Sequence, residues 1–125
     1  MSRKILVIED HEDNRQLLRD LLMNSGLEMI EATTGLDGVA MAKSHRPDLI
    51  LMDIQLPGID GYEATRRIKA EPALKDVPII AVTSYALTGD ATKAYAAGCV
   101  GYVTKPYSPR ELLATIRRHL AASGG

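Results

Sequence analysis

The chain has 125 residues, of which 46% are hydrophobic and 25% are charged. This length and balance are typical of one soluble globular domain and leave little room for a second. A formal net charge of -1 gives no electrostatic reason to expect nucleic acid or an anionic membrane as the main partner. The single cysteine, Cys99, excludes an internal disulfide and a multi-thiolate zinc site, and we expect it to be a small buried hydrophobe.

The N-terminal segment lacks the pattern of an export signal. Its apolar run extends only from Ile5 to Ile8 before Glu9 and Asp10 interrupt it. No later stretch approaches the roughly 20 apolar residues that cross a bilayer. We therefore expect a cytoplasmic protein.

Short apolar runs alternate with segments of helical periodicity along the chain. The run at 4–8 is rich in β-branched residues, which is typical of a strand buried on both faces of a parallel sheet. Leu17, Leu18, Leu21 and Leu22 recur at helical spacing, and Gly26 follows as a C-cap. The same alternation predicts further strands over 28–32, 49–52, 77–82 and 101–104, and further helices over 38–44, 62–70, 91–97 and 109–120.

Five strand–helix units predict a doubly wound α/β fold. Each right-handed crossover places a helix against the apolar sheet, so helices cover both faces of a five-stranded parallel sheet. Ser108 followed by Pro109 predicts an N-cap with proline at the first helical position. We expect the residues after Leu120 to form only a short tail. The pattern by itself leaves the spatial order of the strands open.

Polar residues stand where ligands bind in open parallel sheets, at the carboxyl ends of the strands. Glu9 and Asp10 end the first strand, Asp53 the third, and Thr83 the fourth, while Lys105 follows the fifth. Three neighbouring acids would repel one another unless a cation neutralises them. Carboxylate ligands suit a hard divalent ion, so we predict a Mg²⁺ site that would also accept Mn²⁺.

The chain resembles the receiver domains of two-component response regulators over residues 4–120. Four motifs, each at the carboxyl end of a predicted strand, carry the resemblance: Ile8-Glu9-Asp10, Leu51-Met52-Asp53-Ile54-Gln55-Leu56-Pro57-Gly58, Val82-Thr83-Ser84 and Tyr102-Val103-Thr104-Lys105-Pro106. The resemblance implies the flavodoxin-like strand order 2-1-3-4-5. In that order the first and third strands are neighbours.

The resemblance also implies a role for each acidic residue. Asp53 would be the phosphoacceptor, because a carboxylate acts as nucleophile towards a phosphoryl group. Glu9, Asp10, Asp53 and the backbone carbonyl of Gln55 would hold Mg²⁺. Lys105 would neutralise charge on the phosphoryl oxygens.

Other matched positions concern switching and access. Thr83 would donate its hydroxyl to the attached phosphoryl group, and Tyr102 would turn inward as the signal spreads, although a plain packing role for Tyr102 fits equally well. Ser84 and Tyr85 would border the phosphoryl site, where Tyr85, like Gln55, tunes the lifetime of the phosphoryl group. Pro106 would follow a cis peptide bond.

Several polar residues are not assigned to the chemistry. His11, His45 and His119 belong to different elements and are not predicted to form a metal-ligand cluster. Asn14 is expected to cap or brace the first loop. None of these four residues carries a predicted catalytic role.

Three alternative functions differ from this interpretation. A flavodoxin-like cofactor carrier would need a phosphate-binding loop after the first strand, where Glu9, Asp10, Glu12 and Asp13 would repel the phosphate. An aspartate-based phosphohydrolase would carry its nucleophile after the first strand and add a cap domain. A pseudo-receiver would bind partners without phosphorylation, which the full set of acceptor residues disfavours.

We thus predict a single receiver domain over 1–125, with its core at about 4–120 and no output domain. It would not be a turnover enzyme, since it would catalyse only its own phosphorylation and dephosphorylation. Its phosphoryl donor would be a sensor histidine kinase or a histidine phosphotransfer protein. Its output would be contact with a protein, through a face formed by the fourth helix, fifth strand and fifth helix that includes Tyr95, Tyr102 and Tyr107.

Overall fold

The five strands form a single parallel sheet. A computed structural model describes residues 3–84 and 90–124 of the chain. Its strands form one sheet in the order β2-β1-β3-β4-β5, with every neighbouring pair parallel. This confirms the doubly wound fold and the strand order that the resemblance implies. The strands are Lys4–Ile8 (β1), Glu28–Ala32 (β2), Leu49–Asp53 (β3), Ile79–Thr83 (β4) and Gly101–Thr104 (β5).

Helices follow the strands in the predicted alternation. A short 3-10 helix, which the sequence analysis did not predict, precedes β4 at Pro72–Leu74. No helix within the described ranges combines the length and hydrophobicity that a membrane span requires. The α-helices are Glu12–Asn24 (α1), Gly35–His45 (α2), Gly61–Lys69 (α3), Asp90–Ala97 (α4) and Pro109–Gly124 (α5).

Two hydrophobic clusters fill the space between the sheet and the helices. Successive residues of a strand point to opposite faces, so β1 contributes to both clusters. Ile5 and Val7 pack with α1 and α5, whereas Leu6 and Ile8 pack with α2, α3 and α4. Cys99 is buried in the second of these clusters, as expected, and burial raises the pKa of its thiol. Helices therefore cover both faces of the sheet.

Local capping explains several element boundaries. α1 ends in a Schellman motif, because Gly26 has a φ of 74° and the N–H of Leu27 donates to the carbonyl of Leu22 over 2.9 Å. The N-cap role of Ser108 is also confirmed by a hydrogen bond from the N–H of Glu111 to its Oγ. Thr34 caps α2 by accepting from the N–H of Asp37, which explains why α2 begins earlier than predicted.

Other predicted boundaries were also wrong. α1 begins at Glu12, before Leu17, the first of the apolar positions that predicted it, because acidic residues are favourable in the first turn of a helix. β4 begins at Ile79 rather than Val77, since Pro78 has no N–H for the ladder. The expected tail after Leu120 is instead helical as far as Gly124.

Candidate functional site

The sheet register brings the predicted acidic residues together. Ile8 of β1 is paired with Met52 of β3, so Glu9 and Asp53 lie side by side at the carboxyl end of the sheet. Both side chains are deeply buried, with 3% of Glu9 and 4% of Asp53 exposed. The N–H of Glu9 donates to the carbonyl of Ala32 over 3.0 Å, which continues the β1–β2 ladder into the site.

Lys105 supplies the positive charge of the site. Its Nζ donates to Oε1 of Glu9 over 2.7 Å and lies 3.7 Å from Oδ2 of Asp53. Its backbone N–H donates to the carbonyl of Thr83 over 2.7 Å, so the loop after β5 is tied to β4. The Lys105–Pro106 peptide bond is cis, as the resemblance implies.

Lys105 lies closer to Glu9 than to Asp53, and the pKa values of the two carboxyl groups differ accordingly. Burial by itself would raise the pKa of Glu9, but Lys105 and the backbone N–H of His11 lower it to about 2. Burial, together with the negative charge of Glu9, raises the pKa of Asp53 to about 6 against the weaker opposing effect of Lys105. Lys105 therefore stabilises the charge of Glu9 more than that of Asp53.

The donor atoms of this edge fit a hard divalent cation. Glu9, Asp10, His11 and Asp53 each offer one ligand atom, and these four atoms lie within 4.8 Å of one another. Oδ1 of Asp10 is buried and makes no hydrogen bond to any described residue, although Nδ1 of His11 lies 3.2 Å away. A buried carboxylate oxygen without a donor is costly unless a cation neutralises it. Carboxylate oxygens are the ligands that Mg²⁺ prefers.

Three residues at the site border lie where the motifs predict. The backbone N–H of Gln55 donates to Oδ1 of Asp53 over 3.1 Å. The hydroxyl of Ser84 donates to Oε1 of Gln55 over 2.8 Å, which links the loops after β3 and β4. Thr83 is buried at the end of β4, one position beyond the residue paired with Asp53.

The predicted roles of two further residues, Tyr102 and Tyr85, do not follow from the geometry of the site. Tyr102 is half-buried in β5 and packs against the cluster beneath α2, α3 and α4, which fits both interpretations of this residue. Tyr85 lies outside the described residues. The switching role of Tyr102 and the tuning role of Tyr85 stay predictions.

Sequence reasoning missed two residues beside the acidic cluster. It assigned no metal-ligand role to His11, yet the ring nitrogen of His11 lies 3.3 Å from Oε2 of Glu9. It also passed over Arg15, whose Nη1 donates to the backbone carbonyl of Glu9 over 2.9 Å. The bracing role of Asn14 is confirmed, because its Nδ2 donates to Oε1 of Glu9 over 3.2 Å. The sequence feature that could have identified these residues is the polar stretch between β1 and the apolar positions of α1.

Comparison with known proteins identifies the family. Residues 5–117 match the family model of the response regulator receiver domain. The chain belongs to this receiver family. A relative from Brucella anthropi, the polar-differentiation response regulator DivK, is 42% identical to this receiver over 120 residues, which cover 96% of the chain and 98% of the relative.

Solved structures of receivers share the fold. The receiver domain of a sensor histidine kinase from Pseudomonas aeruginosa superposes with a TM-score of 0.90 at 36% identity, covering 97% of this chain and 99% of the other. That structure has a magnesium ion coordinated in its active-site cleft. The chemotaxis response regulator CheY4 of Vibrio cholerae has a TM-score of 0.90 at 28% identity and covers 95% of this chain and 99% of its own.

Proposed function

We propose that this receiver accepts a phosphoryl group on Asp53 from a phosphohistidine donor and signals by a change of shape. The observation that carries the proposal is the meeting of Asp53 with Glu9, Asp10 and Lys105 at one buried edge of the sheet. Such a site combines a nucleophile, a cation-binding group of acids and a fixed ammonium. Phosphoryl transfer needs mainly this positioning and neutralisation of charge.

The transfer step uses the carboxylate of Asp53 as nucleophile. One carboxylate oxygen forms a bond to phosphorus while the phosphorus–nitrogen bond of the donor breaks, and its electron pair stays on the imidazole nitrogen. The product is an aspartyl phosphate, which water later hydrolyses to inorganic phosphate and the free carboxylate of Asp53. Lys105 lies 3.7 Å from Oδ2 of Asp53, within reach of the oxygens of an attached phosphoryl group. The protein would thus catalyse only its own phosphorylation and dephosphorylation.

Glu9, Asp10, Asp53 and the backbone carbonyl of Gln55 would hold the metal ion, with Mn²⁺ as a substitute for Mg²⁺. When bound, the ion supplies neutralisation of the negative charge on the phosphoryl group. The hydrogen bond from the N–H of Gln55 to Oδ1 of Asp53 keeps the loop after β3 against the acceptor. Oδ1 of Asp10, which is buried and accepts no hydrogen bond from any described residue, supports this assignment.

Thr83 and Tyr102 would convert phosphorylation into a change of surface. The hydroxyl of Thr83 would donate to the new phosphoryl oxygens and draw the loop after β4 inward, and Tyr102 would follow. The affected face would consist of α4, β5 and α5, where Tyr95 is 53% exposed. A downstream protein would bind this face, whereas a sensor histidine kinase or a histidine phosphotransfer protein would supply the phosphoryl group. A cytoplasmic location belongs to the same proposal.

Intact mass spectrometry after incubation with acetyl phosphate tests the chemistry. We expect the wild type to gain one phosphoryl group only when Mg²⁺ is present, and Asp53→Asn to gain none. Asp20→Asn is the matched control, because Asp20 is an acid on α1 that is hydrogen-bonded to Gln16. Gain by Asp53→Asn equal to that of the wild type would refute Asp53 as the acceptor. No gain by a wild type that binds Mg²⁺ would favour a receiver that uses only protein donors.

A further inference from the structure

Arg15 links three parts of the molecule beside the acidic cluster. Its guanidinium donates from Nη1 to the backbone carbonyl of Glu9 over 2.9 Å and from Nη2 to the carboxylate of Glu12. Its Nε lies 3.2 Å from Oε1 of Glu31. With only 12% of the side chain exposed, this arginine is far more buried than a solvated helix residue. One planar group thus connects the end of β1, the first turn of α1 and the edge strand β2.

The backbone of Glu9 is consequently held at both its N–H and its carbonyl. Its N–H donates to Ala32 on β2, and the carbonyl that precedes Asp10 accepts from Arg15. A backbone fixed at these two points restricts the directions in which the carboxylates of Glu9 and Asp10 leave the chain. Residues that hold metal ligands in position, without contacting the ion themselves, contribute strongly to metal affinity.

We propose that Arg15 is a positioning residue for the metal-binding carboxylates of Glu9 and Asp10. The inference rests on the proposed function, since it concerns the same Mg²⁺ site. Arg15 acts through the backbone carbonyl of Glu9. It touches neither the metal ion nor the phosphoryl group.

Because Arg15 is positively charged, a positioning role and a purely electrostatic role predict different effects of its removal on Mg²⁺ affinity. Removing a positive charge near a cation site would strengthen Mg²⁺ binding if charge alone mattered. Removing the positioning group should weaken binding instead, because the loop must then be ordered when the ion binds. The two explanations therefore predict opposite signs for Arg15→Gln.

Arg19 provides a matched control on the same helix. It binds Glu31 through Nε and Nη2, over 2.9 and 2.7 Å, and it donates to Gln16. Among the described residues, Arg19 makes no hydrogen bond to Glu9. Arg19→Gln removes the same charge from the same neighbourhood and leaves the Glu9 carbonyl with its donor.

Calorimetric titration with MgCl₂ should compare the wild type with Arg15→Gln, Arg15→Lys and Arg19→Gln. We expect Arg15→Gln to bind Mg²⁺ about tenfold more weakly than the wild type, while Arg19→Gln binds as tightly or more tightly. Lysine keeps the charge but cannot span three partners with one fork. Arg15→Lys should therefore have an intermediate affinity, and it decides the question if Arg15→Gln fails to fold.

Amide hydrogen exchange in metal-free protein gives a second readout. Exchange at Asp10 and His11 should be faster in Arg15→Gln than in Arg19→Gln, because only the first variant releases the loop. Unchanged exchange, or Mg²⁺ binding by Arg15→Gln at least as tight as that of the wild type, would overturn the inference. Failure of the wild type to bind Mg²⁺ would instead contradict the proposed function itself.

Discussion

The side chain of Asp53 is buried, although its proposed role requires it to be ionised. Burial keeps water away from the acceptor, yet the carboxyl group must be ionised to act as a nucleophile. Glu9 opposes that ionisation, and Lys105 lies closer to Glu9 than to Asp53. Metal-free Asp53 consequently retains its proton to a higher pH than an ordinary aspartate. A bound cation would remove this obstacle by neutralising the shared negative charge.

This arrangement predicts a pH-dependent gain in stability for Asp53→Asn in EDTA. The folded-state pKa of Asp53 is raised from 3.8 to about 6, so its contribution to stability is full below pH 3.8 and is lost as the pH rises through 6. At pH 7.5 the ionised group should lower the free energy of unfolding by up to about 3 kcal/mol. Asparagine cannot ionise and should recover much of that loss at pH 7.5, but little at pH 4.

Urea denaturation at the two pH values measures this difference. Asp20→Asn serves as the control, because Asp20 is exposed and lies away from the acidic cluster. A stability difference between Asp53→Asn and the wild type that is the same at pH 4 and pH 7.5 would contradict the electrostatic explanation.

The start of α3 shows how closely whole elements are fitted around the acceptor. The N–H of Gly61 donates to the carbonyl of Ile54 over 2.9 Å, which places the first turn of α3 directly against the end of β3. A Cβ atom at Gly61 would lie 2.4 Å from the carbonyl oxygen of Asp53 and 2.7 Å from Cα of Ile54. Both contacts are with backbone, which cannot move aside as a flexible side chain can.

We therefore expect Gly61→Ala to lower the free energy of unfolding by about 1–3 kcal/mol, through a forced shift of α3 or β3. Gly101→Ala is a suitable comparison, since its nearest contacts would be Cγ1 of Ile80 at 3.3 Å and Nε2 of His119 at 3.4 Å. Urea denaturation of the two variants should rank Gly61→Ala as the less stable one. Equal stability of Gly61→Ala and the wild type would mean that this helix start moves freely.

At the scale of the whole molecule, the proposed metal site joins distant parts of the chain. Asp10 and Asp53 are 43 positions apart in the printed sequence, and the pairing of β1 with β3 brings their strands together. An ion bound to both would be held only by the folded state. Its binding free energy would therefore add to the stability of the entire sheet.

Mg²⁺ should accordingly stabilise the wild type against urea. At a free concentration about 100 times its Kd, the expected gain in the free energy of unfolding is about 2.7 kcal/mol. Asp10→Asn should show a much smaller gain at the same concentration, and Asp20→Asn should keep the full gain. A gain for Asp10→Asn as large as that of the wild type would exclude Asp10 as a ligand.

Much of the fold followed from local pattern. The bounds of β2 and β5 agree with the predicted 28–32 and 101–104, because each is a short segment between clear breaks. The predicted positions of Glu9, Asp53 and Lys105 at strand ends led directly to the observed cluster, since parallel strands share one carboxyl edge. Helix starts were less predictable, because polar first turns such as that of α1 carry no hydrophobic period.

The amino-acid sequence by itself determined the alternation of elements, the buried character of the sheet and the chemical groups at its edge, because these depend on residue type and spacing. Strand order came from the family resemblance, since hydrophobic period carries no information about which strands are neighbours. Only the tertiary structure decided that Lys105 pairs more closely with Glu9 than with Asp53, and that Arg15 supports the Glu9 backbone. Such contacts depend on the paths of loops and on strand register, which bring together side chains that no local pattern relates.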